Sequence, residues 1–111
     1  MGQYDKAVTA FQQALAHYGE LRDRRSEAGT LINLGYTHFF LGRYEKALEC
    51  YERSLTVFRE LKNRTAEAIL LNNIGEVYLK QGQFEQGREY LEQALPIIRE
   101  VRGKRLEAGF L

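Results

Sequence analysis

Apolar residues recur along this chain in steps of three and four, the spacing that keeps side chains on one face of an α-helix. Two stretches share one such pattern, and we name each of them helix A. Their predicted core faces are Ala28, Leu31, Leu34, Gly35 and His38 in the first stretch, and Ala68, Leu71, Ile74, Gly75 and Tyr78 in the second.

Three further stretches carry a second helical pattern, and we name each of them helix B. Their predicted core faces are Ala7, Val8, Phe11, Leu15, Tyr18 and Leu21 in the first, Ala47, Leu48, Tyr51, Leu55, Phe58 and Leu61 in the second, and Gly87, Leu91, Leu95, Ile98 and Val101 in the third. Because every periodic stretch has the helical spacing, the chain is predicted to be all-α.

The whole pattern repeats every 40 residues. Residues 2–41 and 42–81 are identical at 13 of 40 positions, and residues 42–71 and 82–111 at 10 of 30. Such a fixed period indicates stacked copies of one unit that cannot bury its apolar face alone. We expect one domain over residues 1–111, with helix B of a first copy at 1–25, a second copy at 26–64, a third at 65–104 and the start of helix A of a fourth at 105–111.

Glycine and capping residues mark the predicted helix ends. Gly42 and Gly82 follow the two A helices, where a residue with left-handed backbone ends a helix without steric cost. The connections from helix A to helix B are therefore expected to be tight, so that the two helices run antiparallel. The connections from helix B to helix A offer four candidate N-cap residues, Asp23, Ser26, Asn63 and Thr65.

Small residues and one proline interrupt the helical pattern. Gly35 and Gly75 lie in the middle of helix A, where glycine costs about 1 kcal/mol relative to alanine. We expect close approach of a neighbouring helix to offset this cost. Pro96 removes an amide donor inside the third helix B, where we expect a kink and not a break. On helix B, the close approach expected at Gly35 and Gly75 is matched by the small residues Ala7, Ala47 and Gly87.

The composition argues against two classes of partner. The chain has 16 Lys and Arg against 15 Asp and Glu, interspersed along the sequence, so we do not expect nucleic-acid binding. No apolar run is long enough to span a membrane, and the first residues do not resemble a signal peptide. The single cysteine, Cys50, cannot form an internal disulfide and is expected to be a packing residue. These features favour a cytoplasmic protein with no membrane partner.

Motifs for catalysis, metals and cofactors are missing from the sequence. The two histidines, His17 and His38, lie on different predicted helices and have no metal-ligand spacing with Cys50. The glycines follow the helix turns and form no phosphate-binding loop. The spacing between Glu27, Glu67 and Glu107 equals the 40-residue period, so the three occupy one repeat position near a helix start. This position favours a role in stabilising the helix N-terminus by charge. We therefore expect no enzyme activity and no cofactor.

The residues of each copy resemble the tetratricopeptide repeat, and the resemblance covers nearly the whole chain. The residues that carry it are Leu34, Gly35, His38, Gly42, Tyr44, Ala47, Tyr51 and Ser54, and then Ile74, Gly75, Tyr78, Gly82, Phe84, Gly87, Leu91 and Ala94. The resemblance implies a right-handed solenoid of antiparallel helix pairs, with two and a half to three repeats.

The chain departs from the usual repeat at several positions. Leu31 and Leu71 replace the usual aromatic residue, and Arg59 and Arg99 replace the helix-terminal proline. The period is 40 residues instead of about 34. In this respect the chain is similar to the arrays of bacterial signalling proteins, to Pins-type GoLoco scaffolds and to kinesin light chains.

The resemblance implies that the A helices line a concave groove that binds a peptide. Asparagine side chains can donate to and accept from an extended backbone, and aromatic side chains offer apolar area. Two alternatives stay open, because the asparagines can also bond between helices and the aromatic residues can also pack on their neighbours. The candidate peptide-binding residues are Asn33, Tyr36, Phe40, Ile69, Asn72, Asn73, Glu76 and Lys80.

Another binding mode of the family is disfavoured. Chaperone-binding tetratricopeptide domains hold a C-terminal carboxylate with lysine and arginine residues of successive A helices. Ile69 and Asn73 stand where such cations are needed, and only Asn33 remains from that pattern.

The two ends of the array suggest a second kind of interaction. The first copy lacks helix A, and neither terminus carries the polar capping helix that solenoids need. We therefore expect either a piece of a longer array or a homo-oligomer that forms through the ends, where apolar side chains are partly bare. The candidate end residues are Phe11, Leu15, Tyr18, Leu91, Ile98 and Val101.

Three functions remain open from the sequence. The first is a protein-interaction scaffold that binds a peptide segment of a partner along the A helices. The second is a structural module that stacks through its ends, and the third is the regulatory arm of a larger signalling protein, whose groove holds another part of the same polypeptide.

Overall fold

A computed structural model describes residues 2–107, and the predicted positions at residue 1 and at 108–111 lie outside them. Within this part the chain forms helices joined by short turns and no strands. The helices are α1 (Gly2–Leu21), α2 (Arg24–Phe40), α3 (Tyr44–Glu60), α4 (Arg64–Lys80) and α5 (Phe84–Glu107). Helices α2 and α4 are therefore the predicted A helices, and α1, α3 and α5 are the B helices.

Side-chain caps fix where the two A helices begin. The Asp23 carboxylate accepts hydrogen bonds from the Ser26 N–H at 3.1 Å and from the Ser26 hydroxyl at 2.8 Å, and these bonds hold the pKa of Asp23 below its usual value. Asn63 Oδ1 accepts from the Ala66 N–H at 3.1 Å. Asp23 and Asn63 are thus the N-caps, whereas Ser26 and Thr65, two of the four candidates, lie within the first helical turns.

Left-handed residues end the helices. Gly42 and Gly82 have φ values of 75° and 79°, which confirms their predicted role at the end of each A helix. The B helices α1 and α3 end in the same way at Arg22 and Lys62, with φ values of 57° and 56°. This conformation was not predicted at either position, because neither residue is glycine or asparagine.

Each helix packs against the next one along the chain, so the helices alternate in direction. The larger core lies between α2, α3, α4 and α5, and a smaller cluster of Val8, Leu31, Leu34 and Cys50 joins α1 to α2 and α3. Ser54 is fully buried and donates from its hydroxyl to the Ala28 carbonyl at 2.8 Å, a polar contact between α3 and α2. Cys50 is a buried packing residue, as predicted.

The mid-helix glycines are sites of close helix approach, which confirms the prediction. A β-carbon added to Gly35 would lie 2.7 Å from Cε1 of Tyr51 on α3. One added to Gly75 would lie 3.0 Å from both the Gly87 carbonyl and Cγ of Leu91 on α5. Both distances are shorter than van der Waals contact, so only glycine lets these helix pairs pack at this separation.

Three leucines that were predicted to face the core are exposed. Leu21 and Leu61 stand at the C-terminal ends of α1 and α3, beside the turns. Leu95 is 48% exposed, whereas Ala94 is only 1% exposed. The prediction for α5 was wrong because two successive steps of four residues, from Gly87 through Leu91 to Leu95, advance about 80° around a helix of 3.6 residues per turn. The true core face alternates steps of three and four.

Helix α5 runs through two positions where a change was expected. It is continuous across Pro96, so the proline does not break the helix, as predicted. It also includes residues 105–107, where the sequence suggested the start of a new helix A. Gly103 occupies the repeat position of the N-caps Asp23 and Asn63 and has no side chain with which to cap a new helix.

No helix in residues 2–107 combines the length and the apolar character that crossing a membrane requires.

His38 is a buried core residue, as predicted. It lies on the core face of α2, and its Nδ1 has no hydrogen-bond partner among the described residues. Burial lowers the pKa of His38, since it disfavours the charged imidazolium, and the nearby cations Arg43 and Lys46 lower it further, with Glu49 opposing them. The imidazole is therefore held in its neutral form within the core.

Gly35→Ala should destabilise the protein by about 1–3 kcal/mol. The new methyl group overlaps the Tyr51 ring, and the free energy cost of this overlap exceeds the gain in helix propensity from alanine. Gly29→Ala on the same helix is the matched control, since a β-carbon there meets nothing within 4 Å. The control should gain about 0.5–1 kcal/mol. Urea denaturation followed by circular dichroism measures both changes, and an equal gain in the two variants would show that close approach does not constrain α2.

The stability of the folded protein should decrease as the pH falls through about 6.5, the ordinary pKa of histidine. Because the folded state lowers the pKa of His38, the unfolded chain binds more protons in this range, and stability falls by at most about 1.4 kcal/mol per pH unit. Urea denaturation between pH 8 and pH 5 measures this slope. His38→Gln should remove the slope and His17→Asn should keep it, whereas a slope that persists in His38→Gln would assign the effect to another group.

Candidate interaction surface

The eight candidate peptide-binding residues lie on α2 and α4, on the sides of these helices that face away from their core contacts, and we name this set the A-helix surface. Asn33, Tyr36 and Phe40 on α2 are exposed, as are Ile69, Glu76 and Lys80 on α4. Asn72 and Asn73 are half-buried. None of the eight belongs to the buried core, so their side chains are available for contacts with another molecule.

The order of the helices brings the two halves of this surface side by side. Helix α3 packs against both α2 and α4, and because direction alternates along the chain, α2 and α4 run parallel. Ile32 on α2 also packs against the core cluster that contains Leu70 and Ile74 of α4. Because both helices pack against α3 and run parallel, residues at matching repeat positions, such as Tyr36 and Glu76, face the same side of the array.

An aromatic cluster forms the α2 half of the A-helix surface. Tyr36 and Phe40 are 52% and 54% exposed, and their rings meet edge to face with centroids 4.7 Å apart. Tyr4 of α1 stacks on the other side of Phe40, with centroids 6.3 Å apart and planes 14° from parallel. The aromatic residues therefore pack on their neighbours, one of the two alternatives, and still leave about half of their area in contact with water.

Tyr4 was missed as a member of this surface. The sequence shows it only as a repeat marker, matched by Tyr44 and Phe84. Its contact with Phe40 joins the first helix B to the first helix A, and only the packing of α1 on α2 reveals it.

The α4 half of the surface is mainly polar, with Ile69 as its exposed apolar residue. Asn72 Nδ2 donates to Glu76 Oε1 at 3.3 Å. Tyr51 of α3 is only 1% exposed, and its pKa is raised first by burial, then by the negative charge of Glu76 and by Tyr36. The ring of Tyr51 lies against Gly35 of α2, on the core side of the A-helix surface.

The asparagines at matching positions make no ladder between the helices. Among residues 2–107, no hydrogen bond joins the side-chain amides of Asn33 and Asn73 to each other or to a neighbouring helix. The Asn33 carbonyl accepts a bond from the Thr37 hydroxyl at 2.9 Å, but this contact is within α2 and uses the backbone. The two amides are free to bond with another molecule.

The six candidate end residues are half-buried. Phe11 and Leu15 of α1 pack against the small cluster of Leu31, Leu34 and Cys50, and Ile98 and Val101 of α5 pack against the main core. Leu91 lies against Gly75, and Tyr18 lies beside His17 with ring centroids 5.7 Å apart. For Phe11, Leu15, Leu91, Ile98 and Val101, packing against other helices thus covers part of the side chain.

A mainly apolar cavity of about 250 Å³ lies between the N-terminal half of α4 and the C-terminal half of α5. It joins Ile69, which the sequence assigned to the peptide-binding set, to Ile98 and Val101, which it assigned to the ends. Its lining residues are Thr65, Ala68, Ile69, Ile98, Val101, Arg102 and Arg105.

The carboxylate at the start of α4 has a structural partner. Glu67 is nearly buried and accepts from Arg59 Nε at 3.1 Å and from Arg64 Nη1 at 2.8 Å, so its charge ties α3 to α4. Arg64 also pairs with Glu100 of α5 at 3.0 Å, and the pair of Arg24 with Glu60 repeats this contact one copy earlier. Within residues 2–107 no group of three His, Cys, Asp or Glu side chains is placed to hold a metal ion.

Two antiparallel helix pairs preceded by a single helix, with a period of 40 residues, define an α-helical repeat solenoid of about two and a half repeats. The chain belongs to the tetratricopeptide repeat family, whose model matches residues 1–60 and 66–108. Domains of this family are protein-interaction modules, and the family and fold are typical of scaffolds without catalytic activity.

A solved structure supports the fold. The TPR domain of Arabidopsis FLU superimposes with a TM-score of 0.81 over 87% of this chain and 82% of that chain, at 20% sequence identity. At this identity the similarity concerns the fold alone. No curated protein sequence matches the chain.

Tyr36→Ala and Phe40→Ala should each lower the stability by only about 0.5–1.5 kcal/mol, because each removes an aromatic contact of a half-exposed ring. Tyr51→Ala, which removes a buried ring of the same kind, should cost about 3–5 kcal/mol. Urea denaturation of the three variants tests whether the aromatic cluster is mainly a surface feature. Equal losses in all three would mean that the cluster is part of the core.

Proposed function

We propose that this protein is an interaction scaffold that binds a peptide segment of a partner protein on the A-helix surface. The observation that carries the proposal is the pair of aromatic side chains, Tyr36 and Phe40, that stay about half exposed on the same surface as the unbonded amides of Asn33 and Asn73. Exposed aromatic residues cost free energy in water and are enriched among the residues that dominate protein interfaces.

The polar residues of the surface complement an extended peptide. Each asparagine amide offers two donors and an acceptor, which match the carbonyl and N–H groups of a peptide backbone. Asn33 and Asn73 occupy matching repeat positions on parallel helices, so both can contact one extended segment that crosses α2 and α4. Side-chain contacts with Tyr36, Phe40 and Ile69 would then supply the apolar part of the interface.

A second candidate function, assembly through the ends, is favoured by the cavity at the α4–α5 end. Ile69, Ile98 and Val101 offer apolar area there. Phe58, which matches Ile98 one copy earlier, is buried in the core that α3 shares with α4. A helix that covered the cavity would bury the same positions. The surface that lines the cavity is smaller in area than the surface that a stable dimer buries, so we rank this function second.

Selection of random dodecapeptides displayed on phage should yield peptides that bind the folded protein. Phe40→Ala and the double variant Asn33→Ala, Asn73→Ala should each bind the selected peptides at least about tenfold more weakly, because the lost side chains lie at the centre of the proposed interface. Fluorescence anisotropy measures the affinity, and amide chemical shifts in NMR spectra show which helices the peptide contacts.

Leu95→Ala is the control, since Leu95 is an equally exposed apolar residue on α5 and outside the A-helix surface. Its affinity should equal that of the unmodified protein. Peptides whose shifts map to other helices, or whose binding is insensitive to Phe40 and the asparagines, would overturn the proposal. Light scattering across a concentration range tests the second function, which a dimer that Ile98→Glu dissociates would support.

A further inference from the structure

The two halves of the A-helix surface differ in chemistry at matching repeat positions. Tyr36 and Phe40 of α2 correspond to Glu76 and Lys80 of α4. An aromatic cluster and a carboxylate thus lie exposed on the same side of two parallel helices that both pack against α3. This arrangement suits a ligand group that is apolar along its length and positively charged at its tip.

We propose that the A-helix surface takes a lysine or arginine side chain of the bound peptide, with its stem on Tyr36 and Phe40 and its charged group at Glu76. The proposal rests on the proposed peptide-binding function and adds the chemistry of the residue that is recognised.

The aromatic side holds the stem of the cation. Phe40 is fixed between Tyr4, which stacks on it, and Tyr36, which meets it edge to face. Ordered rings with exposed faces accept the methylene groups of lysine or arginine and attract the positive charge through the ring quadrupole. The four-carbon stem of lysine, or the guanidinium arm of arginine, can extend from these rings towards α4.

Glu76 is a carboxylate without a cationic partner among the described residues. Asp5, Glu60, Glu67, Glu85 and Glu100 each pair with an arginine. Glu76, like several other glutamates, makes no ion pair, and it accepts only the neutral amide of Asn72, through Oε1. Its second oxygen is available for a charged donor. A carboxylate that accepts from an ionised donor forms a stronger bond than one between neutral groups.

The neighbouring cation of α4 does not neutralise Glu76 through an ion pair. Lys80 lies one turn after Glu76 on α4 but makes no ion pair with it within residues 2–107. An acidic peptide side chain at this point would be repelled by Glu76 and would have to bind at Lys80 instead.

The test selects random dodecapeptides on phage against the unmodified protein, Glu76→Gln and Glu89→Gln. Glutamine keeps the acceptor that bonds to Asn72 and removes only the charge. Glu89 is an exposed glutamate of α5 that makes no ion pair among the described residues, so its variant controls for net charge. Lysine and arginine should be enriched among the peptides selected by the unmodified protein and by Glu89→Gln, and the enrichment should be lost with Glu76→Gln.

A double-mutant cycle localises the effect. In one selected peptide the enriched basic residue is replaced by methionine, and fluorescence anisotropy gives the four affinities for the unmodified protein and for Glu76→Gln. The replacement should weaken binding about tenfold to the unmodified protein and have little effect on binding to Glu76→Gln. Circular dichroism of the variants confirms that they are folded, as expected for substitutions at exposed positions.

The outcomes separate this proposal from the proposed function. If selected peptides bind through Asn33, Asn73 and Phe40 but show no basic residue that depends on Glu76, the peptide-binding function stands and the cation site is wrong. Enrichment of aspartate or glutamate would likewise overturn it and point to Lys80. If no peptide is selected, or if binding ignores the A-helix surface, both proposals fail.

Discussion

The close contact between helix A and helix B at two glycines is the constraint on which the rest of the structure depends. Gly35 accepts the ring of Tyr51 against its backbone, and Gly75 accepts the backbone of Gly87 and the side chain of Leu91. Because each pair is held at a separation that allows no β-carbon, one face of each A helix is committed to packing. The opposite face, with Tyr36 and Glu76, is left for contacts outside the array.

Because one face of each A helix packs and the other is exposed, the repeats can be similar in fold and different in surface chemistry. Ala28 and Ala68, or Gly35 and Gly75, recur because the same packing recurs. The outer positions have no such constraint, and in successive copies they hold Tyr36 and then Glu76. A surface built from two such helices therefore has an aromatic half on α2 and a mainly polar half on α4.

The ends of the array follow from the same principle. Positions that a following helix covers inside the array, such as Phe58, correspond to half-buried residues such as Ile98 at the α4–α5 end. The capping residue that begins α2 and α4 is replaced by Gly103, and α5 continues past it. The mainly apolar cavity beside Ile69 and Ile98 is the local result of these differences.

The sequence by itself determined the helices, their order and most of the core, because helical periodicity and a 40-residue repeat are local patterns that survive in any context. It also placed Asn33, Tyr36 and Glu76 outside the core, since that follows from their angle on the helix. Only the tertiary structure decided that Leu95 is exposed and Ala94 buried, because the rotation of α5 depends on how it meets α4. The contact of Tyr4 with Phe40 and the effect of Glu76 on Tyr51 join residues far apart in sequence, and such contacts arise from packing, which no local pattern specifies.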